Sequence, residues 1–504
     1  MKKHAFGQFD TAFYPLRGLK AGDCFVATLL AMTSAKLFLS LRAKRSNLIA
    51  PRFPKCSMGN AHRTHGTILI VTIWVVLVLA GLALVFARSM RVAAVVSANH
   101  VASLQAECIA SGAAQYARAR LIASTEEETS DLMDSEPYEA MQIGDGYCWL
   151  LRSNLEDDRE LDYGLTDEAG KINLNSASEE MLLKLPGMTA ELAASIIDWR
   201  DEDSEITPGG AEDEYYILLS ESYNCKNAEF ETVDEILLVK GASEALLYGE
   251  DTNLNSILDD NENDGDVSDP DDNRNGRLDA GFYDYVTVYS VETNRDSEGN
   301  ERINITDADS RQDLQGLLQE TFDEERALEL MTLIPNNPRY SSILEFYYAI
   351  GLKLEDFSKI ADRLTTSDED TFPGLVNVNT APKAVLLCLP ELEESDVDAL
   401  LSRRDSGEGL ESIAWVTEVL DQEKAVAVGS YITTRSFQYS ADILGIAANG
   451  RAYKRYKAVF DMSSQTPKIV YWKSMTHFGW PLNEYIVAAL RKGEPLTNTI
   501  LNMY

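Results

Sequence analysis

The sequence predicts an α+β protein in which a very long N-terminal helix and a C-terminal antiparallel sheet flank a set of helical repeats. Three observations carry this expectation. An uncharged apolar run, Thr67 to Ala87, continues into a proline-free stretch with small apolar residues at helical spacing. One short phrase then occurs three times between Tyr163 and Asp405. From Arg435 onward, polar and apolar residues alternate with period two.

At 504 residues the chain has room for two to four domains. Its formal net charge of −36 is unevenly spread, because the first 57 residues carry ten Lys/Arg and only two Asp/Glu. The remainder is therefore more acidic than the total, which repels nucleic acid and suits divalent cations. Six cysteines without a CxxC pair argue against a zinc site. In an exported chain Cys148 and Cys225 are available for a disulfide. Free buried thiols are the equal alternative, and sequence does not assign the pairing.

Thr67 to Ala87 is 21 residues without a charge, about 32 Å of α-helix. It is apolar on every side, which fits a membrane segment better than a buried core helix. From Arg88 to about Ile122 there is no proline, and the only glycine is Gly112. Val95, Ala98, Ala102, Ala106, Ala110, Ala113, Ala117 and Leu121 recur at spacings of three and four. The expected result is one helix of roughly 80 Å, its lower half in lipid and its upper half packed on a soluble domain.

The stretch "HGTILIVTIWVVLVLAGLALVFA" resembles the class III signal of type IV pilins and type II secretion pseudopilins. In those proteins a prepilin peptidase cuts after a glycine that closes a short basic leader. The resemblance makes Gly66 the last leader residue and Thr67 the first mature one. Most relatives have glutamate at mature position five, where this chain has Val71. The branch known for lacking it is the large minor pseudopilin, general secretion pathway protein K. Residues 1–57 read as a doubtful extension, since "LRAKRSNLIAPR" resembles translated bacterial intergenic repeat. Met58 would then start a nine-residue leader, 58–66, ahead of an assembly helix over 67–125. The flanking charges, Arg63 before the run and Arg88 and Arg91 after it, set orientation only weakly.

After the start of a sheet within 126–170, the repeats begin. "INLNSASEEMLLKLPGMTAELAASIIDWR" starts at Ile172, "INITDADSRQDLQGLL" at Ile303 and "VNVNTAPKAVLLCLPELEESDVDALLSRR" at Val376. Each opens with a short β-like stretch and a capping residue, then enters a helix. In the first copy Ser176 or Ser178 can cap, Pro186-Gly187 breaks the helix and Ala190 to Arg200 forms a second one. This is a helix–hairpin–helix unit. Its usual ligand is DNA phosphate, but Glu179, Glu180, Glu191, Asp198, Asp201, Glu202 and Asp203 surround the first hairpin. Those carboxylates oppose a phosphate backbone. The K-type pseudopilins carry paired helical units of this kind, SAM-like, in an α-helical domain inserted into a pilin-like fold. The expected insert spans 171–365, with the last repeat over 366–430.

Within the insert, the acidic segment 251–281 has few residues to fill a core. Asp251, Asn253, Asn255, Asp259 and Glu262 fall on positions 1, 3, 5, 9 and 12 of an EF-hand-type loop, with the Ile257 carbonyl seventh. Ser256 replaces the usual glycine at position six. Asp271, Asn273, Asn275, Arg277 and Asp279 repeat the register and keep Gly276, but Phe282 stands where the bidentate Glu belongs. A solvated acidic linker is the plain alternative. Calcium is the expected cofactor, and the resemblance agrees, because K-type pseudopilins bind calcium in their helical domain.

The C-terminal part, 431–504, reads as antiparallel sheet. Phe437, Tyr439, Ala441 and Ile443 lie on one face, Asn449-Gly450 marks a hairpin, and "TPKIVYWKSM" supplies a third strand. The meander is expected to be half exposed, with Lys454, Arg455 and Lys457 on a solvated face. "ADILGIAANGRAYKRYKAVFD" and "IVYWKSMTHFGWPL" closely resemble the K-type C-terminus.

The resemblance implies a non-enzymatic minor pseudopilin, a single-pass bacterial inner-membrane protein with its body in the periplasm. It would sit at the tip of a type II secretion pseudopilus that exports proteins across the outer membrane. Its partners would be other minor pseudopilins, the prepilin peptidase, and the secreted substrate or outer-membrane secretin, with no nucleic acid. The alternatives are a membrane-anchored DNA-uptake protein and a minor pilin of a type IV pilus. An enzyme is disfavoured, because His100 and His477 have no nucleophile or metal cluster around them in the sequence.

Overall fold

The computed structural model describes residues 65–127, 138–155, 157–335, 338–407, 409–464, 466–497 and 501. The chain divides into two units, residues 1–85 and 86–504. In the first, the described residues are the start of α1 (His65–Glu127), and its large apolar side chains are exposed. Among the described residues α1 is the one helix long and apolar enough to cross a bilayer. The proposed leader, apart from His65 and Gly66, and the 1–57 extension lie outside the described residues.

In the second unit the small-residue stripe of α1 is a packing surface. Ala102, Ala106, Ala110, Ala113, Ala117 and Leu121 are each at most 1% exposed, as the spacing predicts. The stripe begins later than expected, because Val95 remains 47% exposed and Ala98 half-buried. The stripe lies on an antiparallel sheet of seven strands. These are β1 (Met141–Ile143), β2 (Gly146–Arg152), β3 (Asp162–Tyr163), β4 (Thr166–Asp167), β5 (Gln438–Ile446), β6 (Tyr453–Asp461) and β7 (Lys468–Ser474). Their order is β1-β2-β5-β6-β7, with β3 on β2 and β4 on β5. Strand alternation sends Cys148, Leu150, Ala441, Ile443, Ala458 and Phe460 to the α1 face. Trp149, Leu151, Leu444 and Ile446 point to the other face.

Over β2 and β5 that second face is covered, while the half-exposure expected of the meander is found at β7, where Ile469, Val470 and Trp472 are exposed. A C-terminal amphipathic helix, Glu484–Lys492, covers the second face with Ile486 and Leu490. The hairpin at Asn449-Gly450 is present, with Gly450 in the left-handed region and the Asn449 side chain accepting from the Arg451 amide.

Between the paired strands β4 and β5 the chain makes an excursion of helical repeats. In the first, Ser178 caps α2 (Glu179–Leu183) and Thr189 caps α3 (Ala190–Arg200), each accepting a backbone N–H. The second carries α4 (Arg311–Thr321) and α5 (Glu324–Leu333); the third carries α6 (Lys383–Cys388) and α7 (Glu394–Arg404). Each opening phrase forms a two-residue parallel ladder with a later strand. Ile172–Asn173 pairs Val286–Thr287, Ile303–Asn304 pairs Leu364–Thr365, and Val376–Asn377 pairs Ile432–Thr433. The local bonding recurs too. Asn173, Asn304 and Asn377 each accept, through their side-chain oxygen, the amide two residues on. One apolar core runs through all three, including Leu182, Ile196, Leu317, Phe346, Val385 and Trp415.

Candidate functional site

The two acidic loops share a backbone. Leu254 and Ser256 in the first loop, and Arg274 and Gly276 in the second, all have φ between 53° and 73°. Ser256 thus adopts the left-handed turn that glycine normally supplies at position six. Both loops also share a donor arrangement. Asn253 and Asn255 converge on Asp259 Oδ2 at 2.6 and 3.2 Å, and Asn273 and Asn275 converge on Asp279 Oδ2 at 2.6 and 3.0 Å. Asn255, Asn273 and Asn275 each use Oδ1 to accept the amide two residues on, which leaves Asn253 Oδ1 as the unpartnered carboxamide oxygen of the four.

Their surroundings separate them. In the first loop Asp251 and Glu262 are 2% and 1% exposed, and Asn255 and Ile257 are buried. Burial, then the Glu262 charge, pushes Asp251 up to about 7, and burial pushes Glu262 up to about 7. Asp251 accepts the Asn255 and Ser256 amides, while Glu262 accepts Thr252 and Asp259. Asn253 Oδ1 is buried with no hydrogen-bond donor. Two buried carboxylates and an orphaned oxygen are hard donors of the kind that divalent cations take. The second loop is solvated: Asp271, Asn273, Asn275, Arg277 and Asp279 are exposed. Phe282 at its twelfth position is a fully buried core residue rather than a ligand.

A further acidic pocket lies beyond the first hairpin, built from residues the sequence reading treated only as charges around that hairpin or did not single out. Asp198, on α3, is fully buried and accepts the Thr207 amide. A Cβ at Gly210 would come within 2.1 Å of Asp198 Oδ2, so this approach requires glycine. Glu212 is 3% exposed, and neither of its oxygens has a hydrogen-bond partner. Asp201 Oδ1 and Asn227 Oδ1 are likewise buried and unpaired. Burial raises Glu212 above the usual carboxylate range, and the Asp198 and Asp201 charges add to the rise. The signal in the sequence was the carboxylate spacing in "DWRDEDSEITPGGAED", but the donors come from separate turns. Among the described residues no three His, Cys, Asp or Glu side chains already stand in coordinating geometry. Either place would have to close around an ion.

The remaining expected sites are placed as follows. Gly66 and Thr67 lie in the first turn of α1, and Val71 is 61% exposed on it. Cys148 and Cys225 are both free thiols and belong to different cores, Cys148 under the sheet and Cys225 in the helical body. The disulfide available to them is not formed. The solvated basic face also needs correction, because Arg455 is 0% exposed and bonded throughout. In the hairpins the cations are used internally. Lys184 donates to the Leu389 carbonyl, Arg200 to that of Ala177 and Arg404 to that of Ala381, while Lys383 pairs with Glu394 and Asp398. None of these remains to meet a phosphate.

Two family models, both described as type II secretion system (T2SS) protein K, match residues 166–248 and 376–434. No curated protein matches the chain. A chain from the crystal structure of the GspK-GspI-GspJ complex of the enterotoxigenic Escherichia coli type 2 secretion system is similar, at 11% identity and a TM-score of 0.37. That similarity covers 74% of this chain and 96% of the other, and at this score it decides nothing about the fold. The two matched segments contain the first and last repeats of the helical body. The first and last repeats of the helical body are thus similar to the type II secretion system protein K family.

Proposed function

We propose that this protein is a minor pseudopilin at the tip of a type II secretion pseudopilus, with a structural rather than an enzymatic role in protein export across the outer membrane. A prepilin peptidase would cut between Gly66 and Thr67, leaving a single-pass inner-membrane subunit with its body in the periplasm. The observation that carries the tip assignment is Val71. The glutamate expected there neutralises a neighbour's terminal amine, and the topmost subunit has no such neighbour above it. An insert of this size between β4 and β5 also obstructs stacking within a shaft. Other minor pseudopilins are the partners this reading requires, and the similar chain was solved together with two other proteins of its secretion system. The secreted substrate and the secretin are further candidates for contact.

Calcium is part of the same proposal. Asp251, Asn253, Asn255, Asp259 and Glu262 would hold it in the first loop, and Asp201, Glu212 and Asn227 in the pocket beyond the first hairpin. A bound divalent cation would neutralise buried carboxylates that otherwise carry uncompensated charge. The solvated second loop is the weaker place.

The test is purification of the tagged full-length protein from its native membranes, with secretion measured in the deletion strain. Recovery of other pilin-like proteins and loss of secretion are expected. Intact secretion without the protein would overturn the export role. Calorimetry showing no calcium uptake by the detergent-solubilised protein would remove calcium from the proposal.

A further inference from the structure

Arg455 is the third residue of β6, completely buried, and its guanidinium has two sets of partners. On the sheet side Nε is 2.9 Å from both Asp442 oxygens, on β5, and Nη2 is 2.5 Å from Oδ2. On the other side Nη2 donates to the Leu254 carbonyl at 2.5 Å, and Nη1 donates to the Asn253 carbonyl. One planar fork thus joins the sheet to two consecutive carbonyls of the first acidic loop. More bonds hold the same loop. Asn255 Nδ2 donates to the Pro481 carbonyl, and the Leu258 amide to that of Asp158. Leu254 and Ile257 are buried. The second loop, for all its likeness, has no such grip on the sheet among its described bonds: its one tie is the Leu278 amide to Asp158.

The loop therefore has two faces. Its side chains at Asp251, Asn253, Asn255, Asp259 and Glu262 form the donor set, while the carbonyls of Asn253 and Leu254 turn to Arg455. Both faces depend on one backbone conformation, including the left-handed Leu254 and Ser256. A cation on the side-chain face and the guanidinium on the carbonyl face stabilise the same peptide units. Free energy gained on one face is felt on the other, and the linkage is reciprocal.

We propose that the first acidic loop is a cation-tightened latch between the helical body and the sheet, with Arg455 as its positioning residue. This rests on the calcium reading of that loop. Filling the loop fixes the carbonyls that Arg455 holds, and through Asp442 it stiffens the β5–β6 pair. Emptying it slackens the joint where the inserted body meets the sheet.

The test is hydrogen exchange on the full-length protein in detergent, with calcium chloride or with magnesium chloride as control. Calcium is expected to slow exchange on the order of tenfold in residues 251–262 and also around Arg455 and Asp442. Strand β1, which does not touch the loop, should change far less. Slowing confined to the loop overturns the latch and leaves the calcium reading standing. Equal slowing across all strands reports general stabilisation and also overturns it. Absence of calcium uptake by calorimetry overturns both. The variant Arg455→Lys keeps the charge but loses the fork. It should bind calcium about tenfold more weakly and lose the β5–β6 response. An unchanged response in a folded Arg455→Lys protein removes Arg455 from the device.

Discussion

At the scale of single residues, two carboxylates sit where folding alone would not put them. Glu391 occupies the turn of the third repeat's hairpin with φ of 57°, where the first repeat has Gly187 at 70°. An L-residue there costs about 1–2 kcal/mol, part of which glycine returns as lost chain entropy. Glu391→Gly is therefore expected to stabilise the protein by up to about 1 kcal/mol, measured by chemical unfolding. Glu212 differs in kind, since its backbone is extended and its two oxygens are buried without donors. Glu212→Gln removes an uncompensated charge without changing shape. In chelator it should unfold at a temperature equal to or above that of the wild type. In calcium the order should reverse, because the wild type gains binding energy and the variant does not. A calcium-induced rise of equal size in both proteins would remove Glu212 from the ligands.

At the scale of elements, close approach decides more than composition. The small-residue stripe on α1 lets strand β5 come near enough that a Cβ on Gly445 would lie 2.7 Å from the Ala106 carbonyl oxygen and 2.8 Å from the Ala110 nitrogen. Both obstacles are backbone, so neither can turn aside. Gly445→Ala should destabilise by roughly 1–3 kcal/mol, the usual range for overpacking, with thermal unfolding as the measurement. This packing was half legible. Helical spacing picked out Ala102 to Leu121, and period-two alternation picked out Ala441 and Ile443, because both are repeating signals. Gly445 gave no such signal, being one glycine in a strand. The closing strands of the repeats, Val286–Thr287, Leu364–Thr365 and Ile432–Thr433, are two residues long and carry no periodicity. The covering helix Glu484–Lys492 comes after the last strand, where the period-two alternation ends. The loop register was readable because its donors are contiguous. The pocket of Asp201, Glu212 and Asn227 was not, because three turns bring it together.

At the scale of the molecule, the question is how an inserted helical body keeps its place on a sheet that it interrupts. Asp167 answers part of it. It is the last residue of β4, 3% exposed, and sits at the point where the chain leaves the sheet. Its carboxylate accepts the Ala169 amide, Asn377 Nδ2 and Thr380 Oγ1 from the third repeat, and Ser436 Oγ just before the chain returns in β5. One side chain thus bonds both the exit and the return, with no ion pair to it among the described residues. Burial raises its pKa above the usual aspartate value, although all four hydrogen bonds pull the other way. The sign of the pH effect follows from linkage. With the folded pKa above the unfolded one, the native state binds more protons between those two values. Stability should therefore fall as pH rises through that window and level off above it. Asp167→Asn keeps much of the bonding without the charge, and should flatten this part of the stability–pH curve. Asp167→Ala should cost about 3 kcal/mol or more, since four donors lose their acceptor together. Urea unfolding of the three proteins across the acid range gives the comparison. A wild-type curve whose slope in that window matches that of Asp167→Asn would show that the buried carboxylate does not tie pH to the joint.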